Sequence, residues 1–173
     1  MSQLLASPDE ILGQEFLTWL WFRSDVASDA FRTKDGAPFT ISMEQRIVVQ
    51  GGQGDARETT SVSGALSPLR EARFGLGTGK KVTRALLHIE KEDMAFQVSL
   101  RAEDFAFAGL RTPKLDKNDA DDDPDALFLE KIYLMEVCVG LIDHLYQMFL
   151  AIRLGNEWAQ EVISMQRWLT DAE

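Results

Sequence analysis

The sequence predicts an α+β protein: an N-terminal helix, an antiparallel β-meander of about four or five strands, a long C-terminal helix and a final amphipathic helix. Three observations point there. Ser7-Pro8-Asp9-Glu10 is a capped helix start ahead of an apolar stripe. Residues 39 to 101 hold short alternating runs separated by turn residues, and residues 124 to 154 carry two apolar stripes at helical spacing.

The first helix starts at Pro8, since proline suits the first helical position, and runs to about Ala27. Ile11, Leu12, Phe16, Trp19, Leu20 and Phe22 recur at helical spacing, while Leu17 and Trp21 widen the apolar surface past one stripe. This helix needs cover on more than one side. Asp35-Gly36, Gly51-Gly52-Gln53-Gly54 and Lys91-Glu92-Asp93 are the expected connections of the meander. Met94, Phe96, Val98 and Leu100 alternate with Ala95, Gln97, Ser99 and Arg101, the pattern of a strand with one face on a core. On its neighbour, residues 81–90, strict alternation puts Arg84 and His88 on one face and Thr83, Ala85, Leu87 and Ile89 on the other. Ser67-Pro68-Leu69-Arg70 reads as a second cap-and-proline start, of a short helix ending near Gly77 or Gly79.

Residues 113–123 form an acidic linker within a single domain spanning 1–173, ahead of a helical pair at 124–171. Asp123-Pro124-Asp125 caps and opens the long helix, which runs to about Leu154. Phe128, Ile132, Met135, Val139, Ile142, Tyr146 and Phe149 follow 4-3-4-3-4-3 spacing. Leu134, Cys138, Leu141, Leu145, Met148 and Ile152 make a second stripe beside it. Such a helix belongs in the middle of a layer or in a subunit interface. Gly155-Asn156 ends it, and Trp158, Val162, Met165, Trp168 and Leu169 mark the last helix.

Composition narrows the function. The chain has 173 residues, 45% of them hydrophobic, enough for a substantial core. A single cysteine forms no intrachain disulfide, and no Cys/His spacing suits a structural zinc site. The N-terminus lacks a basic region followed by an apolar run, and the greasiest stretch, 132–149, carries Glu136, Asp143 and His144. The expectation is a cytoplasmic protein. The net charge of −10 speaks against polyanion binding by overall charge. The charge is uneven, however: residues 116–125 hold six aspartates against one lysine. Residues 70–84 form a basic island, with Arg70, Arg73, Lys80, Lys81 and Arg84 opposed only by Glu71.

Several motifs dissolve on inspection. Gly75-Leu76-Gly77-Thr78-Gly79-Lys80-Lys81 is reminiscent of a phosphate loop, but Phe74 and Lys81 stand where glycine and Ser/Thr are needed, and a strand follows instead of a helix. Asp119, Asp121, Asp123, Asp125 and Glu130 fall at positions 1, 3, 5, 7 and 12 of an EF-hand loop. Pro124 occupies position 6, where the loop turns on a glycine, so a capped helix start is the expectation and no metal is called for. His88 and His144 are the only histidines, and neither forms a local pair with Cys138. No nucleophile motif is present and the acids do not point to one pocket, so neither catalysis nor a cofactor is expected.

The words Glu15-Phe16-Leu17-Thr18-Trp19-Leu20-Trp21-Phe22-Arg23-Ser24, Gly79-Lys80-Lys81-Val82-Thr83 and Leu129-Glu130-Lys131-Ile132-Tyr133-Leu134, continued by Leu145-Tyr146, Phe149-Leu150 and Trp158, carry a family likeness. The chain resembles, from about Leu12 to Leu169, the C-terminal part of the recombination-associated protein RdgC family, in its divergent bacterial branch. The resemblance implies a nucleoid-associated protein that binds duplex DNA without sequence preference, as ring-shaped dimers that limit access of the RecA recombinase. An exonuclease label sometimes attached to the family finds no residues here. Family members are considerably longer, and the chain is expected to lack their N-terminal portion, which puts ring closure in doubt. The charge pattern nominates Arg70, Arg73, Lys80, Lys81 and Arg84 as phosphate contacts. The apolar helix 124–153 is the expected homodimer or assembly surface. The alternative from another class is a non-catalytic interaction or oligomerisation module that never touches DNA.

Overall fold

The computed structural model describes residues 8–43, 46–51, 58–63, 81–114 and 123–171. Outside them lie the expected cap at Ser7, the short helix from Ser67, the glycine loop and most of the acidic linker. The architecture is α+β, as the sequence predicts. Helix α1 (Pro8–Val26) leads into strands β1 (Thr40–Ser42), β2 (Arg46–Gly51), β3 (Glu58–Ser63), β4 (Lys81–Lys91), β5 (Met94–Arg101) and β6 (Phe107–Arg111). Helices α2 (Pro124–Arg153) and α3 (Trp158–Thr170) follow.

All strand pairings are antiparallel, in the order β3-β2-β4-β5-β6. β1 pairs with the His88–Glu90 end of β4 and β2 with its Lys81–Ala85 end, so the two lie end to end along one edge of β4. The order departs from a simple meander at one point: β4 returns beside β2, leaving β3 at the edge. β4 and β5 form a tight hairpin around Glu92 and Asp93, with Lys91 opposite Met94 and Glu92 in the left-handed region at φ 55°.

α1 packs on β4 and β1 with one side and on α2 and α3 with another, which makes it a middle layer. This explains why Phe16, Leu17, Trp19, Leu20, Trp21 and Phe22 are all buried around its circumference. Burial of each such side chain contributes about 1.5–3 kcal/mol. Gly13 is where α1 comes closest to the sheet: a Cβ there would stand 1.9 Å from the Ala102 carbonyl oxygen. Phe16 and Trp19 meet Phe149 of α2, and Trp21 and Phe22 meet Trp168 of α3 edge-on. Polar ties fix the same contacts. Glu161 accepts from Trp19 Nε1 at 2.8 Å and from Arg23 Nε at 2.5 Å, Asp25 accepts from Trp168 Nε1 at 2.6 Å, and Glu15 accepts from Arg153 Nε at 2.6 Å.

The two stripes of α2 part company. Leu134, Cys138, Leu141 and Leu145 of the second stripe are buried, whereas the first is buried only from Ile142 onward and its earlier members Phe128, Ile132, Met135 and Val139 are exposed. Asp123 caps the helix by accepting from the Asp125 N–H at 3.0 Å. Among the described residues no helix is long and apolar enough to cross a membrane.

Candidate nucleic-acid interface

The core-facing side of the sheet is set by Val82, Ala85, Leu87 and Ile89 on β4 and Phe96, Val98 and Leu100 on β5, all buried. Strict alternation along β4 expects Thr83, not Val82, on that side. The register slips between Val48 and Val49, which pair with Arg84 and Val82, so Thr83 is the extra residue of a β-bulge. The bulge moves Val82 into the core, and the Thr83 carbonyl accepts from the Ala102 N–H at 2.8 Å. Beyond it Arg84, Leu86, His88 and Glu90 share the opposite, open face with Gln97, Ser99 and Arg101 of β5.

Of the nominated phosphate contacts, Arg70, Arg73 and Lys80 lie outside the described residues. Lys81 and Arg84 are both exposed but do not share a surface. Lys81 lines a cleft on the helical side with Glu15, Thr18, Trp158 and Val162. Arg84 stands on the open face directly opposite Arg101. Like charges facing across strands repel, and Asp104 offsets this. Asp104 accepts from Arg101 Nε at 2.8 Å, pairs with a second guanidinium nitrogen of Arg101, and takes the Ala106 N–H at 3.1 Å. The Arg101 bond and then the Ala106 bond hold the Asp104 carboxyl below its usual range, while Asp104 raises Arg101.

Two rows further along the same face, Arg111 of β6 faces Gln97, which faces His88. Cross-strand partners share a face, so Arg84, Arg101 and Arg111 stand on one open surface, which among the described residues also carries the carboxylates of Glu90 and Asp104, with Glu103 acting on Arg101 as well. Glu90 is engaged by His88 at 2.9 Å. Among the described residues, Arg84 and Arg111 have no ion pair and no side-chain hydrogen bond. The three described helices lie on the other side of the sheet, through α1.

Sequence reasoning missed Arg101 and Arg111 as members of a cationic surface. The signal for Arg101 was available: a two-residue turn at Glu92-Asp93 makes partner numbers add to a constant, which sets Arg101 opposite Arg84. None existed for Arg111, since β6 was not visible as a strand.

The remaining polar candidates have other engagements. His144 donates from Nε2 to the Arg32 carbonyl at 2.8 Å, tying α2 to the loop after α1. Burial pushes the Cys138 thiol up to about 11, so it stays protonated at neutral pH. Of the EF-hand-like set, Asp119 and Asp121 lie outside the described residues, Asp123 caps α2, and Asp125 and Glu130 are exposed. Among the described residues, no three His, Cys, Asp or Glu side chains cluster in a way that could hold a metal ion.

No family model matches the chain, and neither does any curated protein or solved structure. The site therefore rests on its own geometry.

Proposed function

We propose that the chain is a non-catalytic, RdgC-like protein that binds duplex DNA without sequence preference, associated with recombination and the nucleoid. The observation that supports this best is the open sheet face, where Arg84 faces Arg101 and Arg111 stands two rows away on the same face. Guanidinium groups present forked donors that suit phosphate oxygens, and contacts to phosphates position a duplex without reading its bases. Binding of this kind displaces condensed counterions, so affinity falls with salt at roughly 0.9 log units per decade for each phosphate neutralised.

The test is fluorescence anisotropy with a labelled random-sequence duplex, titrated from low to physiological salt. Binding with a log-linear salt dependence is expected. Arg84→Gln should lower the salt slope by about 0.9, and Arg84→Glu with Arg111→Glu should abolish retention while leaving the fold intact. A Lys80→Glu, Lys81→Glu variant tests the basic island of the sequence in the same assay. Unchanged binding in the arginine pair would sink the open-face assignment.

A second reading, an assembly module, is favoured by a separate observation: the exposed apolar residues on the first half of α2.

A further inference from the structure

Two adjacent sides of α3 meet the rest of the molecule. One carries Glu161 and Trp168, which hold α1 through Trp19, Arg23 and Asp25. The other carries Trp158, Val162, Met165 and Leu169 at 4-3-4 spacing, and this apolar stripe is only half-buried. It forms one wall of a cleft of about 280 Å³ that is completed by Glu15 and Thr18 of α1, Lys81 at the start of β4, and Gln166. At 1.5 Å per residue the stripe runs about 16 Å, so a cleft of that volume is a narrow slot.

The polar groups of the slot divide into engaged and free. Glu15 accepts from Arg153 Nε at 2.6 Å, and the same guanidinium lies over the Trp158 ring, 5.0 Å from its centroid. The Thr18 hydroxyl donates to the Gln14 carbonyl at 2.8 Å. Among the described residues, Lys81 and Gln166 have no ion pair and no side-chain hydrogen bond. The slot is therefore apolar along α3, its one carboxylate is balanced by Arg153, and one ammonium is left over.

We infer that this slot binds a free fatty acid of medium chain length as its carboxylate, with the alkyl chain laid along Val162, Met165 and Leu169 and the head group on the Lys81 ammonium. The inference goes beyond DNA binding and does not depend on it, since the arginines stand on the face of the sheet turned away from α1. Charge decides the head group. An ammonium only donates, so its partner is an acceptor, and its single charge balances a carboxylate. A phosphate monoester carries a charge of about −1.5 to −2 and three strong acceptor oxygens, which one lysine does not match. Shape decides the tail. A narrow slot lined by two branched aliphatic side chains and a methionine, whose unbranched side chain adapts to its neighbours, suits an extended alkyl chain. Arg153 already covers a face of Trp158, which leaves an aromatic ligand less to stack on. The Lys81 stem can lie against the apolar wall while its ammonium stays at the water boundary, where the head group of a bound fatty acid also belongs.

Isothermal titration calorimetry of the full chain compares octanoate with 1-octanol, the same chain without the charge, and with acetate, the charge without the chain. Octanoate is expected to bind at one site per chain, 1-octanol about fivefold more weakly, and acetate not at all. Lys81→Gln changes an exposed residue and should bring octanoate down to the affinity of 1-octanol. Val162→Trp fills the slot and should remove binding of both, with an unchanged circular dichroism spectrum showing that the fold is kept. Octanoate binding that persists unchanged in both variants overturns the site, because the exposed apolar residues of α2 would then be taking the chain. Equal affinity for octanoate and 1-octanol overturns the role of Lys81 and with it the assignment of a carboxylate ligand. No binding of octanoate up to its solubility overturns the inference as a whole.

Discussion

Gly13 and Gly140 are both helical glycines, and their surroundings give them opposite tolerances. A methyl group at Gly13 would collide with the Ala102 backbone, which is held by its bond to Thr83 and cannot retreat as a side chain would. Gly13→Ala is therefore expected to lose about 2–3 kcal/mol despite its better helix propensity, measured as a lowered urea midpoint. Gly140→Ala meets nothing within 4 Å. It should raise the stability of the single copy by about 0.8 kcal/mol through propensity. At Asp104 the contact is electrostatic. Its folded-state carboxyl is depressed, by Arg101 first and the Ala106 N–H second, so its contribution is present above the ordinary aspartate range and is lost as pH falls through the lowered value. An NMR titration should place the Asp104 midpoint below that of a free aspartate. Arg101→Gln should move that midpoint upward.

At the scale of elements, the clamp between α1 and α3 shows how a helix becomes a middle layer. Glu161 accepts from Arg23 and also from Trp19, whose ring is 1% exposed. Glu161→Ala leaves that indole N–H without its partner and should cost about 2 kcal/mol in urea unfolding, while Glu161→Gln, which can keep the indole bond, should cost about half of that. What could be read from the sequence follows the same logic. α1 was legible because its apolar residues keep helical spacing after a capped start, and Leu17 and Trp21 widen that surface past one stripe, which implies cover on more than one side. The β4–β5 hairpin was legible because β5 alternates cleanly between core and water. β6 was not: its burial runs exposed at Phe107, Ala108, Gly109 and Arg111, so an edge strand in water leaves no alternation to detect. The bulge at Thr83 was hidden too, since one extra residue inverts the apparent face of everything before it. For α2 the sequence supplied two stripes but not their order of burial. Only packing against α1 decides that the stripe through Cys138 and Leu145 is buried from Leu134 to Leu145, while the other turns inward at Ile142 and Phe149.

For the whole molecule, DNA binding and assembly must answer salt in opposite directions. DNA binding by Arg84, Arg101 and Arg111 weakens as salt rises, because counterion release is its driving term. Self-association through α2 is apolar at its seam, yet it brings together two chains of net charge −10. That repulsion opposes assembly and is screened once the Debye length shrinks, to about 8 Å at physiological ionic strength and about 3 Å at 1 M. Sedimentation velocity at several salt concentrations should therefore show the dimer fraction rising with salt, over the range in which anisotropy shows DNA affinity falling. Asp143→Asn, which removes one charge beside the exposed apolar residues of α2, should weaken the first dependence and leave the second unchanged, since the arginines lie on the open face of the sheet. A dimer that dissociates as salt rises would mean that ion pairs, not the exposed apolar residues of α2, hold the copies together.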